Sequence, residues 1–280
     1  MTDRLTDRTA LLRARARAAH APALFLHAEA ATEIQERLNE VNRTFTAPAV
    51  VTGWPAAWEG VLPGVRIVPD APVLALGEGA HDLIVHAMAL HWADDPVGQL
   101  VQCRRALVPD GLLLAVLPGG RTLAELRAAL AEAEAAVTGG LSPRVLPMAE
   151  IRDLGGLLQR AGLALPVADS LSLPVSYADA FALMRDLRAM GESNALAGRL
   201  RRPTRRAVLL DAAARYARAW PAPDGRVQAT FELIFLTGWA PDESQPRPLR
   251  PGSARARLAD ALGSSEQPLP DRAPGAPGKS

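Results

Sequence analysis

The chain has 280 residues, of which 49% are hydrophobic, and its formal net charge is +1. This length and composition can bury one α/β core of ordinary size with extra helices or a tail. The small net charge predicts no general attraction to nucleic acid or anionic lipid. The single cysteine, Cys103, excludes a disulfide scaffold and a thiolate metal site, and the single lysine, Lys279, excludes a P-loop lysine and a core Schiff base.

The start of the chain is charged and lacks the apolar core that a secretory signal carries. No run of about 18 consecutive apolar residues occurs, which is the length that a membrane-spanning helix requires. We therefore expect a cytoplasmic protein without a transmembrane segment.

The first half of the chain predicts strands that alternate with helices. Strands are expected at 49–52, 65–68, 82–88 and 112–117, and helices up to about residue 41, from 96 to about 107 and from 122 to about 137. Asp95 followed by Pro96 is typical of a helix start, and Thr122 with Glu125 predicts a capping box. Nearly continuous apolar strands suit a parallel sheet that is covered on both faces. The alternation therefore predicts a doubly wound α/β fold.

The second half of the chain predicts helices between two late strands. Helices are expected from 148 to 161, from about 176 and from 203 to 220, with strands near 167 and at 230–239. Gly162 is in the position expected of a helix C-cap. We divide the chain into an N-terminal helical segment (1–45), a main domain (46–240) with a helical insertion at about 176–222, and a tail (241–280). The tail holds eight of the 24 prolines, so we expect it to be largely disordered.

Two groups of motifs resemble known families. The segments 81–92 (HDLIVHAMALHW) and 105–114 (RALVPDGLLL) resemble the fourth and fifth strands of class I S-adenosylmethionine-dependent methyltransferases. The segments 138–143 (TGGLSP), 190–194 (MGESN) and 243–248 (ESQPRP) are similar to the complex I assembly factor 5 family, and the likeness covers about residues 78 to 255. This resemblance implies a Rossmann-like class I methyltransferase fold, here with a shortened first half and extra C-terminal helices.

The chain departs from both families where they hold the cofactor. Their first strand ends in a loop of the type LDLGCGxG, whose glycines let the backbone approach the ligand closely. Here only Gly53 remains, followed by Trp54 and Pro55. Asp70 aligns with the acid that ends the family's third strand and faces adenine. The interval from 53 to 65 is too short for a helix and a second strand, so the acid that binds the ribose has no counterpart. S-adenosylmethionine is thus the implied cofactor, and its binding is expected to be weak or absent.

Candidate cofactor-binding residues are Gly53, Asp70, His91 and Trp92, and candidate substrate or client residues are Glu192, Ser193, Asn194, Arg201 and Arg202. His91 and Trp92 lie just beyond a strand's carboxyl end, where open α/β sheets place ligands; Trp92 could equally be a packing residue. The segment 192–194 could be a polar loop after a helix rather than a site. The arginines of 199–206 could dock an acidic protein surface or belong to a solvated loop.

No metal site and no catalytic residue is identified from the sequence. His81 and His86 are five residues apart, so a strand would direct them to opposite faces. The resemblance implies a protein client, a subunit of respiratory NADH dehydrogenase whose arginine the family acts on. The small net charge predicts no nucleic-acid partner. Two alternatives remain: an active S-adenosylmethionine-dependent methyltransferase with a rebuilt pocket, and a non-catalytic protein-binding scaffold.

Overall fold

The computed structural model describes residues 4–246. Its helices are α1 (Arg8–Ala18), α2 (Phe25–Glu40), α3 (Pro96–Ala106), α4 (Ala124–Thr138), α5 (Ile151–Arg160), α6 (Ala180–Ala189) and α7 (Arg206–Ala219). Its strands are β1 (Pro48–Thr52), β2 (Arg66–Pro69), β3 (His81–Ala87), β4 (Leu107–Pro118), β5 (Ala164–Tyr177) and β6 (Val227–Trp239). The single opening helix predicted from the sequence is wrong, because two helices form on either side of Pro22, which cannot donate a backbone hydrogen bond.

The six strands form one sheet in the order β2-β1-β3-β4-β6-β5. β2, β1, β3 and β4 run parallel, whereas β6 is antiparallel to both β4 and β5. Alternate residues of the central strands enter different cores. Val50 and Val85 pack with α2, α4, α6 and α7, whereas Val51 and Ile84 pack with α3 and α5. Helices thus cover both faces, as the apolar strands predicted, and the Rossmann-like methyltransferase fold is confirmed.

The shortened first half is also confirmed. Between β1 and β2 the chain forms only a short 3-10 turn at Pro55–Ala57 and no crossover α-helix. β2 pairs directly with β1 and is the edge of the sheet among the described residues. The sequence alignment placed Asp70 after a third strand, but the strand that precedes Asp70 is the immediate neighbour of the first.

Two of the local signals predicted at helix ends were correct, and one was not. Asp95 accepts a hydrogen bond from the backbone N–H of Gly98 at the start of α3. Asp179, which is not among the predicted signals, accepts from the backbone N–H of Ala182 at the start of α6. Gly162 follows α5 with φ +78°. The capping box predicted at the start of α4 is wrong: the Thr122 hydroxyl donates to the Glu232 carbonyl instead. Glu125 accepts from the Thr230 hydroxyl, so this motif ties α4 to β6.

The division into 1–45, 46–240 and 241–280 stays a prediction. Residues up to Glu243 cluster as one compact unit, and α6 and α7 lie between β5 and β6 in the chain. Most of the predicted disordered tail, from residue 247 onward, lies outside the described residues. Within residues 4–246, no helix is both long enough and apolar enough to cross a membrane.

Candidate functional site

The four candidate cofactor residues follow three neighbouring parallel strands. Gly53 follows β1, Asp70 follows β2, and His91 and Trp92 lie in a short 3-10 turn after β3. Thr52, at the end of β1, is in register with Pro69 of β2 and with Ala87 of β3. The strands therefore end at the same level and bring these residues to one edge of the sheet, where open α/β sheets form their ligand cleft.

Two arginines of the N-terminal helix α1 bind the carboxylate of Asp70. Arg8 forms a two-point contact with both Asp70 carboxylate oxygens at 2.8 and 3.1 Å, and Arg15 Nη1 donates to Asp70 Oδ2 at 2.8 Å. The Arg15 and Asp70 side chains are each only 6% exposed. Burial acts to raise the pKa of the Asp70 carboxyl, but the two guanidinium groups outweigh it and hold this pKa below its ordinary value. Asp70 is therefore an ionised carboxylate that already has its partners.

The Arg15 guanidinium also covers Gly53. A Cβ atom added at Gly53 would lie 2.0 Å from Arg15 Nη1 and 2.3 Å from Cζ. Next to it, the Trp54 side chain is buried and reaches the backbone of Gly191, which has φ +76° and whose added Cβ would lie 2.9 Å from the Trp54 ring. The space above the end of β1 is thus filled by side chains of the protein itself.

Glu192 comes shortly after α6 and contacts the two residues beyond β3. Its Oε2 accepts a hydrogen bond from Trp92 Nε1 at 2.6 Å and lies 3.3 Å from His91 Nε2. Burial acts to raise the pKa of the Glu192 carboxyl, but the interactions with His91 and Arg15 outweigh it, so this pKa is lowered. The side chain keeps 25% of its surface exposed. Glu192 is therefore an anion at neutral pH that a ligand can still reach.

A cavity of about 430 Å³ opens beside Glu192, past the carboxyl ends of β3 and β4. Its wall is mainly apolar and includes Leu123, Leu126, Leu130, Met184, Leu187 and Leu209. Within the described part of the chain, Glu192 is the only acidic residue on this wall, and Arg15 lies outside it. His91 and Trp92, two of the candidate cofactor residues, line the same cavity.

The other predicted client residues are divided between the cavity and the surface. Ser193 and Asn194 line the cavity, and Asn194 Nδ2 donates to the carbonyl of Pro143 at 2.8 Å. Arg201 is 71% exposed on its side chain and lies 3.5 Å from Asp7, outside the cavity wall. Arg202 is also exposed and outside that wall. A role of these two arginines in docking a client stays a prediction.

The two histidines of β3 have separate partners. His81 Nδ1 contacts the carbonyl of Ala47 at 3.0 Å, and His86 Nε2 contacts Gln99 Oε1 at 3.1 Å. Gln99 Nε2 donates to the Ala71 carbonyl at 2.8 Å, which fixes Oε1 as the acceptor for His86. In residues 4–246 no group of three or more His, Cys, Asp or Glu side chains is placed to hold a metal ion.

Sequence reasoning missed Arg8 and Arg15, although one signal was present. Arg8, Leu11, Arg15 and Ala18 recur at three- and four-residue spacing, which places them on one helix face. Leu11 and Ala18 are buried on that face, and the arginines share it. The high arginine content of the chain hid this pattern.

The chain is similar to two groups of curated proteins, and each group has its own name. It is 36% identical to "Arginine-hydroxylase NDUFAF5, mitochondrial" of Homo sapiens over 229 residues, 81% of this chain and 66% of that protein. The Danio rerio protein of the same name is 37% identical over 199 residues, 71% of this chain and 62% of that protein. "Malonyl-[acyl-carrier protein] O-methyltransferase" of Halorhodospira halophila is 35% identical over 173 residues, 62% of this chain and 57% of that protein. The chain thus spans about three fifths of the length of these relatives.

No protein-family model matches the chain. Among solved structures, a protein of Bacillus halodurans described as a methyltransferase is 13% identical, with a TM-score of 0.48 over 74% of this chain and 98% of that chain. The chain belongs to the class I methyltransferase superfamily and, within it, to the NDUFAF5-like family.

Proposed function

We propose that this chain recognises an arginyl side chain of a protein client, a subunit of respiratory NADH dehydrogenase, and that its binding of S-adenosylmethionine is weakened or lost. The observation that carries the proposal is the Glu192 carboxylate, which within the described part of the chain is the only acidic residue on a mainly apolar cavity wall. A carboxylate binds a planar guanidinium through two parallel hydrogen bonds, which makes arginine its most specific cationic partner. The name of these relatives, arginine-hydroxylase, supports the same residue type.

The residues at the ends of β1 and β2 support weakened or lost binding of the cofactor. Membership of the superfamily implies S-adenosylmethionine, which needs close access to the backbone after β1 and a free carboxylate after the next strand. In this chain Arg15 covers Gly53, and both Asp70 oxygens are bound by Arg8 and Arg15. The residues present therefore do not fit the cofactor. The active methyltransferase favoured by the second group of relatives remains the alternative.

The sequence also leads us to propose a subunit of NADH dehydrogenase as the client and the cytoplasm as the location. Docking of an acidic client surface by Arg201 and Arg202 would be compatible with their exposure.

Binding of blocked arginine tests this proposal. We expect acetyl-arginine methylamide to bind, and its neutral citrulline counterpart to bind at least about tenfold more weakly, because a charge-assisted hydrogen bond contributes roughly 1.5–3 kcal/mol. Glu192→Gln keeps an acceptor for Trp92 but removes the charge, so it should lower arginine affinity by a similar factor. The measurement is ligand titration followed by NMR of the protein.

Glu150→Gln is the matched control, since Glu150 is exposed and lies outside the cavity wall. It should leave the affinity unchanged. Equal affinity for arginine and citrulline, or equal affinity in the Glu192→Gln variant, would contradict the proposal.

A further inference from the structure

The cavity beside Glu192 is larger than one arginine side chain requires. Its volume of about 430 Å³ lies in the range that encloses most of a drug-sized ligand. Beyond the carboxylate, three helices supply the wall: Leu126 and Leu130 from α4, Met184 from α6, and Leu209 from α7. An arginine whose guanidinium reaches Glu192 would leave this apolar part of the cavity without a protein contact, and such surface gains most from an apolar ligand.

Among the described residues of the wall, Glu192 is the only carboxylate that can anchor a cation. Of the three arginines on the wall, Arg188 is exposed, and Arg144 and Arg199 donate to acids outside the wall. Arg144 donates to Glu134 through Nε at 2.8 Å and Nη2 at 2.6 Å, and this lowers the pKa of Glu134 to about 2. Arg199 Nη2 donates to Asp7 at 2.9 Å. The cavity therefore combines one carboxylate and a large apolar surface with one exposed arginine, Arg188.

We infer that the cavity recognises a pair of neighbouring client residues, an arginine and an aliphatic residue beside it. The arginine pairs with Glu192, and the aliphatic side chain packs against the apolar wall formed by α4, α6 and α7. This inference rests on the proposed function and adds a second determinant of specificity to it. A client segment with a polar residue next to the arginine would bind less tightly.

Blocked dipeptides separate the two determinants. Acetyl-Arg-Leu-amide or acetyl-Leu-Arg-amide is expected to bind at least about tenfold more tightly than acetyl-Arg-Ser-amide, because a buried leucine side chain removes substantial apolar surface from water. Acetyl-citrulline-Leu-amide tests the cation alone. All four are measured by calorimetric or NMR titration of the full chain.

Two leucines on α7 supply matched variants. Leu209 lines the cavity, whereas its neighbour Leu210 is 51% exposed and does not. Leu209→Trp should fill the apolar part of the cavity and remove the advantage of the leucine dipeptides over the serine dipeptide. Leu210→Trp should change neither. Met184→Gln, a substitution of similar size on α6, should reduce the same advantage if Leu209→Trp does not fold.

The outcomes distinguish the inference from the proposed function. Equal affinity for the leucine and serine dipeptides, with arginine still preferred to citrulline, would overturn the inference and leave the proposed function standing. Equal affinity for the citrulline and arginine dipeptides would overturn both. A leucine advantage that survives both Leu209→Trp and Met184→Gln would also overturn the inference, because leucine would then bind elsewhere.

Discussion

Replacing Arg15 with alanine is expected to lower the free energy of unfolding by about 3 kcal/mol. Asp70 would remain buried with Arg8 as its only ion-pair partner, and removal of one member of a buried ion pair leaves an uncompensated charge. We place the effect at the lower end of the range for such pairs because Arg8 stays in contact with both carboxylate oxygens. Urea unfolding of the wild-type and variant proteins measures this difference.

Variants on the same helix and in the same pair are the controls. Arg17 is exposed on α1, so Arg17→Ala should change the free energy of unfolding by less than about 0.5 kcal/mol. Combining Arg15→Met with Asp70→Asn should cost less than the sum of the two single changes, because neither charge is then left alone. Additive effects would show that the contact between Arg15 and Asp70 does not stabilise the fold as we describe.

The second large effect is a loss of stability in mild acid that depends on His27. This residue of α2 is buried and accepts a hydrogen bond from Trp58 Nε1 at its Nδ1, 3.1 Å away. Burial lowers the pKa of His27 to about 4. Because the unfolded chain binds a proton near pH 6.5 and the folded chain does not, stability is complete above that pH and falls as the pH drops toward 4. Between about pH 7.5 and 4.5 the loss from His27 is about 2.5 kcal/mol.

His27→Gln tests the assignment because glutamine can still accept from Trp58 but does not titrate. The variant should lose about 2.5 kcal/mol less than the wild-type protein over this pH interval in urea unfolding experiments. A similar substitution at His20, which is exposed on the surface, should leave the pH dependence unchanged. Identical pH profiles for His27→Gln and the wild-type protein would rule out His27 as the cause.

The sheet could be predicted because its strands depend on local sequence. The apolar runs of β1, β3 and β4 and the turn residues around them specify buried parallel strands without reference to distant residues. The capping box of α4 was mispredicted because Thr122 and Glu125 found partners on β6, more than a hundred residues away. Local sequence propensity does not reveal a hydrogen-bond partner that lies so far away in the chain.

The candidate site was predictable only in part for the same reason. Local motifs predicted His91, Trp92 and Glu192 as site residues. In the structure the Glu192 carboxylate contacts both His91 and Trp92. Arg15 acts on Asp70 across 55 residues and on Gly53 across 38, and its neighbours in sequence are also arginines and alanines. Nothing in its own segment separates it from the exposed Arg13 and Arg17 except the helix face it occupies.

Together these contacts divide the edge of the sheet into two unequal parts. Over β1 and β2, the N-terminal helix supplies two guanidinium groups that neutralise Asp70 and cover Gly53. Past β3 and β4, the cavity beside Glu192 remains open. We infer that the half of the site that binds the client is kept, while the half that would bind the methyl donor is filled by the chain itself.

Isothermal titration calorimetry with S-adenosylhomocysteine tests this claim most directly. Loss of two charge-assisted contacts costs about 3–6 kcal/mol, which would turn a micromolar site into a millimolar one. We therefore predict no measurable binding heat at ligand concentrations of several hundred micromolar or below. A dissociation constant in the low micromolar range would contradict the account, because it would require α1 to leave Asp70 and Gly53 at little cost.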